Sequence, residues 1–250
     1  MAWNAPFPGR LPSGPALERS VGAKTIRLCK NKDFLLAGQF CRCAYINHDG
    51  WLFRYKILHN GSRQIVDFVL PGQIFGIQAV LFRRALYSVA TITETSLSAV
   101  AFDLLDDGLD RNPRLLKALL WSAACEGAML GEHLIDAARR TAYERLSHLL
   151  LELFVWLRAV GLTEGGSFHM PLTQELIGDA LGLTTVHVNR TLRALREDKL
   201  VGIEGKVVTI RDFEALALLS DFENSYLGDA VRAIRDELMA SDDGEPSAGS

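Results

Sequence analysis

Leu172-Thr173-Gln174-Glu175-Leu176-Ile177-Gly178-Asp179-Ala180-Leu181-Gly182-Leu183-Thr184-Thr185-Val186-His187-Val188-Asn189-Arg190-Thr191-Leu192-Arg193-Ala194-Leu195-Arg196 reads as two short helices joined by a tight turn. Thr173 stands where a hydroxyl can accept from the free amides that open the first helix, and Leu176, Ile177, Ala180 and Leu181 recur as one apolar stripe. Gly182 permits the left-handed turn that a residue with a Cβ resists. A second capping hydroxyl, Thr184, opens the second helix. On it Val188, Leu192 and Leu195 fall at i, i+4 and i+7 and so face the first helix. That leaves Thr185, His187, Asn189, Arg190 and Arg193 pointing outward, with no acid between Thr184 and Arg196. The pattern is a helix-turn-helix. Its second helix offers what a major groove asks for, since Arg pairs two-pronged with guanine and Asn with adenine.

Directly downstream, residues 200–210 alternate around Glu204-Gly205-Lys206 as a two-stranded hairpin. This makes the motif a winged one and puts Lys206 at the tip, within reach of a phosphate. Upstream, Asn112-Pro113 opens a long helix predicted over 113–138, roughly 39 Å at 1.5 Å per residue. Along it Leu116, Leu120, Ala123, Gly127, Leu130, Leu134 and Ala137 are separated by alternating steps of four and three, a heptad seam. Small residues at Ala123 and Gly127 let a second backbone approach, so this face is expected to meet a partner copy while another face packs on the chain's own N-terminal unit. A second helix is predicted over 139–161, an extended piece over 167–171, and a last helix over 212–239 with Leu216, Leu219, Tyr226 and Leu238 among its apolar positions. Residues 241–250 are too polar to fold and are expected to be disordered.

Residues 24–102 alternate apolar and polar in short runs separated by turn signals, as an antiparallel all-β unit does. The clearest hairpin joins residues 51–58 to 63–70 through Asn60-Gly61. Residues 87–100 read as another pair, bending near Glu94-Thr95. The expected fold is α+β: an N-terminal antiparallel β-roll, a long dimerisation helix and a C-terminal winged helix-turn-helix. The expected boundaries are 1–22 for a flexible arm, 23–112 for the roll, 113–138 for the dimerisation helix, 139–212 for the winged domain, and 213–250 for a C-terminal helix and acidic tail.

A net charge of −3 over 250 residues excludes a protein that coats nucleic acid through bulk charge, so any such affinity must be local. The N-terminal residues carry Pro6, Pro8, Pro12 and Pro15 but no basic start followed by an apolar run, so a cytoplasmic address is expected. The apolar stretch 146–157 is too short for a membrane span and is interrupted by His148 and Glu152, which makes it a buried helix. Cys29, Cys41, Cys43 and Cys125 form no CxxC pair and are expected to be free thiols. A metalloenzyme barrel needs clustered histidines, whereas the roll offers only His48 and His59, far apart in sequence. No catalytic residue, metal site or cofactor is expected.

Roll, long helix and winged motif in this order resemble the Crp/Fnr family of bacterial transcription regulators. The most specific match is residues 181–192, which fit a recognition segment Leu-Gly-x-[Ser/Thr]-x-x-x-Val-x-Arg-x-Leu; residues 51–55, 63–65 and 70–76 are similar to the family's roll hairpins. The resemblance implies double-stranded DNA, a second copy and RNA polymerase as partners. It implies Arg190 on a guanine edge, Thr184 and His187 near phosphates, and Thr185 and Val186 where relatives read bases with polar side chains. Val186 can touch only a thymine methyl. Asp136 falls at the family's interdomain hinge. Cyclic-nucleotide binders of the family carry Gly-Glu-Leu and then Arg-Ser or Arg-Thr. Here the matching positions, Gly76-Ile77-Gln78 and Tyr87-Ser88, lack the guanidinium that would neutralise a buried phosphate. Arg83 and Arg84 sit on the connecting loop. Cyclic AMP is therefore not the expected effector; the alternative is a modified roll pocket that senses a cyclic nucleotide or a redox signal. The tight N-terminal cysteine cluster of the family's iron-sulfur sensors is missing.

Overall fold

The computed structural model describes residues 24–101 and 113–223. The expected arm at 1–22, the acidic tail and the expected helical positions Tyr226 and Leu238 lie outside these residues. The first unit is a roll of two four-stranded antiparallel sheets. One contains β1 (Lys24–Leu28), β8 (Thr95–Ala101), β3 (Cys43–Asp49) and β6 (Ile74–Phe75), in that spatial order. The other contains β2 (Asp33–Leu35), β7 (Ser88–Thr91), β4 (Leu52–Ile57) and β5 (Arg63–Val69), with a short helix α1 (Gln78–Phe82) between β6 and β7.

The β4–β5 hairpin forms as expected. Gly61 has φ +82°, and the Ser62 amide donates to Asn60 Oδ1 at 3.0 Å. The pair expected across residues 87–100 does not form, because β7 lies between β2 and β4 whereas β8 lies between β1 and β3. The bend near Glu94 crosses between sheets because its groups are held by the β3–β4 turn. Ile92 N–H donates to Trp51 O at 2.7 Å, and Trp51 N–H donates to Thr93 Oγ1 at 2.9 Å. The two turns are so close that a Cβ on Gly50 would sit 2.1 Å from Glu94 O.

The long helix, α2 (Pro113–Arg139), runs one residue past its predicted end. The next, α3 (Ala142–Ala159), starts three residues later than predicted. Thr141 and Glu144 form a capping box that fixes its first turn, with the Thr141 amide donating to Glu144 Oε2 at 2.6 Å. Every residue from 146 to 157 is buried, His148 and Glu152 included. One apolar core runs from Phe53 and Phe68 of the roll through Met129 and α3 to Phe168, Ile177, Val188 and Leu195, so α3 is the common wall of both units.

After α3 come β9 (Thr163–Glu164), β10 (Ser167–His169), α4 (Gln174–Leu181), α5 (Thr185–Glu197), β11 (Val201–Glu204), β12 (Val207–Ile210) and α6 (Phe213–Ser220). The wing belongs to a sheet ordered β11-β12-β10-β9. Helix α6 begins on the Asp212 cap as expected but ends at Ser220. There Asp221 adopts φ +51° and Phe222 turns back into the core, which breaks the single helix expected to residue 239. Among the described residues no helix is long and apolar enough to cross a membrane.

Candidate nucleic-acid interface

Both caps read from the sequence are made. Thr173 Oγ1 accepts from the Leu176 amide and Thr184 Oγ1 from the His187 amide, each at 3.2 Å. Gly182 closes α4 at φ +66°, donating to Gly178 O. Gly178 matters as much: a Cβ there would lie 2.5 Å from Leu183 O, so its lack of a side chain lets the turn fold onto α4. Val188 and Leu195 are buried and Leu192 partly so, which orients the rest of α5.

On the open side, Thr185, Val186, Asn189, Arg190 and Arg193 are exposed and His187 is half-buried. Val186 is 78% exposed, an apolar side chain standing in water. Arg190 makes no hydrogen bond or ion pair among the described residues, so its donors are open to a ligand. Arg193 differs: its Nε donates to Glu197 Oε1 at 2.7 Å. The acid-free stretch of the sequence stops one residue short of that partner. Thr173 is exposed at the start of α4, and Lys206 is exposed at the wing tip.

Side chains that sequence reasoning passed over hold this reader against the rest of the chain. On α4, Asp179 accepts from Arg63 Nε at 2.7 Å, Glu175 from Arg63 Nη2 at 3.2 Å, and Ala180 O from Gln64 Nε2 at 3.2 Å. The β4–β5 hairpin of the roll thus rests on the first helix of the reader. At its far end Tyr143 Oη donates to Asp198 Oδ2 at 2.5 Å, an arrangement in which burial and the carboxylate both raise the phenol's pKa.

Helix α2 shows two faces. Leu119, Ser122, Cys125, Met129 and Asp136 are buried against the chain's own units. Leu120 and Leu134 of the heptad seam are 61% and 69% exposed, Ala123, Gly127 and Ala137 are exposed, and Leu130 is half-buried. Leu116 lies in the first turns of the helix.

The expected effector positions are only partly together. Gly76, Gln78 and Tyr87 line a space of about 20 Å³, enough for a water. Ile77 packs into the roll core, and the Ser88 hydroxyl is occupied by the Ala37 amide at 3.0 Å. Arg54, which sequence reasoning missed, lines the same space. It pairs with both oxygens of Asp67 and donates to Glu126 Oε1 at 2.5 Å, while Tyr87 covers it with its ring centroid at 5.6 Å. Gln78 Nε2 donates to the same Glu126 oxygen. Burial works against the Arg54 charge, yet Asp67 and Glu126 raise its pKa further. Arg83 and Arg84 are exposed and take no part.

Asp136 is not at the break between helices. It lies in the last turn of α2, and the chain breaks at Arg140 and Thr141 because the Thr141 cap starts α3 there. Its carboxylate clamps that break, accepting from Arg140 Nη1 at 2.8 Å with His148 Nδ1 at 3.3 Å. Burial pushes its carboxyl up, but His148 and Arg140 outweigh this and hold it below the usual range. Among the described residues no group of three ligating side chains could hold a metal ion.

Comparison with known proteins agrees with this geometry. Residues 144–219 match the Crp-like helix-turn-helix domain and residues 25–112 the cyclic nucleotide-binding domain. The chain is 30% identical over 192 residues to the anaerobic regulatory protein of Pasteurella multocida, covering 76% of this chain and 70% of that one. It is 28% identical over 194 residues to the fumarate and nitrate reduction regulatory protein of Yersinia pestis, covering 76% of each. FixK2 of Bradyrhizobium japonicum superposes with a TM-score of 0.72 at 27% identity, over 80% of this chain and 98% of that one. With a capped reader, a wing and an antiparallel roll, the chain belongs to the Crp/Fnr family of DNA-binding transcription regulators, on the side of its Fnr-type members.

Proposed function

We propose that this regulator acts as a homodimer in the cytoplasm, setting residues 184–193 of each copy into successive major grooves of a near-palindromic site. Half-sites then lie about 34 Å apart, one helical turn. The observation that carries the reading is the pairing of an open Arg190 on the reader with an exposed heptad seam on α2. Thr185, Val186 and Asn189 flank Arg190 at the groove, while Thr173, Thr184, His187 and Lys206 lie toward phosphates. Because Val186 offers only a methyl surface, the preferred base beside Arg190 is thymine. RNA polymerase is the protein partner that family membership implies, and the activity is binding and not catalysis.

Cyclic AMP is not the effector in this reading, since its phosphate would have to displace Asp67 and Glu126 from Arg54. Burial pushes the Cys125 thiol up to about 11, which keeps it protonated and unreactive at neutral pH. The test is selection of a binding site from random duplexes with the purified protein, followed by gel-shift titration. Arg190→Ala is expected to cost about 1–3 kcal/mol and to relax preference at one base pair per half-site. Unchanged affinity and preference would overturn the assignment.

A further inference from the structure

A cavity of about 380 Å³ lies where the roll, α2 and the reader meet, away from the pocket of Gly76 and Tyr87. Ile65 and Phe68 of β5, Leu130 and Leu134 of α2, Leu149 of α3 and Leu181 at the end of α4 give it apolar walls. Its size and lining are those of a site for a small organic ligand, apolar with a few convergent polar groups.

The polar groups decide what fits. Asp67 is held by Arg54, Asp136 by Arg140 and His148, and His133 pairs with Glu152 at 2.8 Å. Arg145 alone on this wall lacks a counter-ion: Nε donates to Arg140 O at 2.8 Å and Nη1 to Leu181 O at 3.1 Å, and it pairs with no carboxylate among the described residues. Its Nη2 has no acceptor among the described residues. A neutral apolar ligand leaves that charge uncompensated, and a small hydrophilic anion leaves the walls wet; an anion with an apolar body satisfies both.

We propose that this joint binds an amphipathic monocarboxylate, its carboxylate on Arg145 Nη2 and its chain along Phe68, Leu149 and Leu181. Arg145 already ties the break between α2 and α3, through Arg140 O, to the end of α4, through Leu181 O. A ligand seated there touches both connections that set the reader against the seam. The site stands on the cavity and Arg145 and not on how the reader contacts DNA, although Leu130, Leu134 and Ala137 are also seam positions, so the proposed dimer borders this wall.

The test is calorimetric titration of the full-length protein with octanoate, with octan-1-ol and acetate as probes that lack the charge or the chain. Octanoate is expected to bind once per chain, at least tenfold more tightly than either control. Arg145→Gln, which removes the cation, and Ala180→Leu, which fills the cavity and keeps Arg145, are each expected to weaken it at least tenfold. A thermal melt confirms that each variant folds, and Ala180→Leu carries the test alone if Arg145→Gln does not. Absent or unsaturable binding to the wild-type protein, or equal affinity in a folded variant, overturns the proposal. So does binding confined to a Leu120→Glu monomer, because the partner's helix is then the occupant.

Discussion

Arg54 brings a full positive charge into the roll and surrounds it with Asp67, Glu126 and the face of Tyr87. Such a cluster is stable only while it is complete, since removing one partner leaves the others buried and uncompensated. Arg54→Ala is therefore expected to destabilise the fold by about 3–5 kcal/mol, measured as a lower urea midpoint. His133 works by the same logic on α2. Its Nδ1 faces Val66 O at 3.2 Å and its Nε2 faces Glu152. Burial disfavours the charged ring, but Glu152, with help from Asp67 and Asp136, raises its pKa to about 9. A pKa raised on folding contributes stability that is full below the unfolded value near 6.5 and disappears as pH rises through 9. The melting temperature of the wild type should accordingly fall across that window, and the part of the fall due to this group should vanish in His133→Gln; identical profiles for the two proteins would refute the pairing.

At the level of elements, α2 is read twice by its surroundings. The seam on its exposed side is apolar at heptad spacing, and Leu120→Glu would set like charges against each other in a dimer. Sedimentation should show a monomer, and operator affinity should fall with it because the two readers lose their fixed spacing. This face was legible in the sequence because its period is apolar. The inward face was not, since Ser122, Glu126, His133 and Asp136 are polar and become interior only through partners on other elements, such as Ser122 Oγ donating to Ile74 O at 3.1 Å. Arg54 was hidden for a related reason. Counting back from the Asn60-Gly61 turn places Arg54 opposite Val66, and a bulge between Arg54 and Tyr55 moves its partner to Asp67. The reader was legible nearly residue by residue because caps, turn glycine and apolar spacing all act within a few positions. Gly178 escaped because its purpose, room for Leu183 O, is set by the fold of the turn. The boundary at Thr141 was readable in principle, since Thr-x-x-Glu is a capping signature.

Across the whole molecule, the charge of −3 opposes nucleic acid while the reader attracts it, so binding depends on where cations stand. Arg190, Arg196, Lys199 and Lys206 are exposed on the reader, and two of its acidic residues, Glu175 and Asp179, pair with Arg63 of the roll. Affinity for the selected site should fall steeply with salt, the logarithmic slope counting phosphate contacts at about 0.9 each. Lys206→Ala should weaken binding evenly across sequences and reduce the slope by about one per wing on the duplex, whereas Arg190→Ala should change base preference instead. Fluorescence-anisotropy titrations at a series of salt concentrations separate the two effects. An unchanged slope in Lys206→Ala would mean that the wing stands clear of the backbone and that α5 alone holds the duplex.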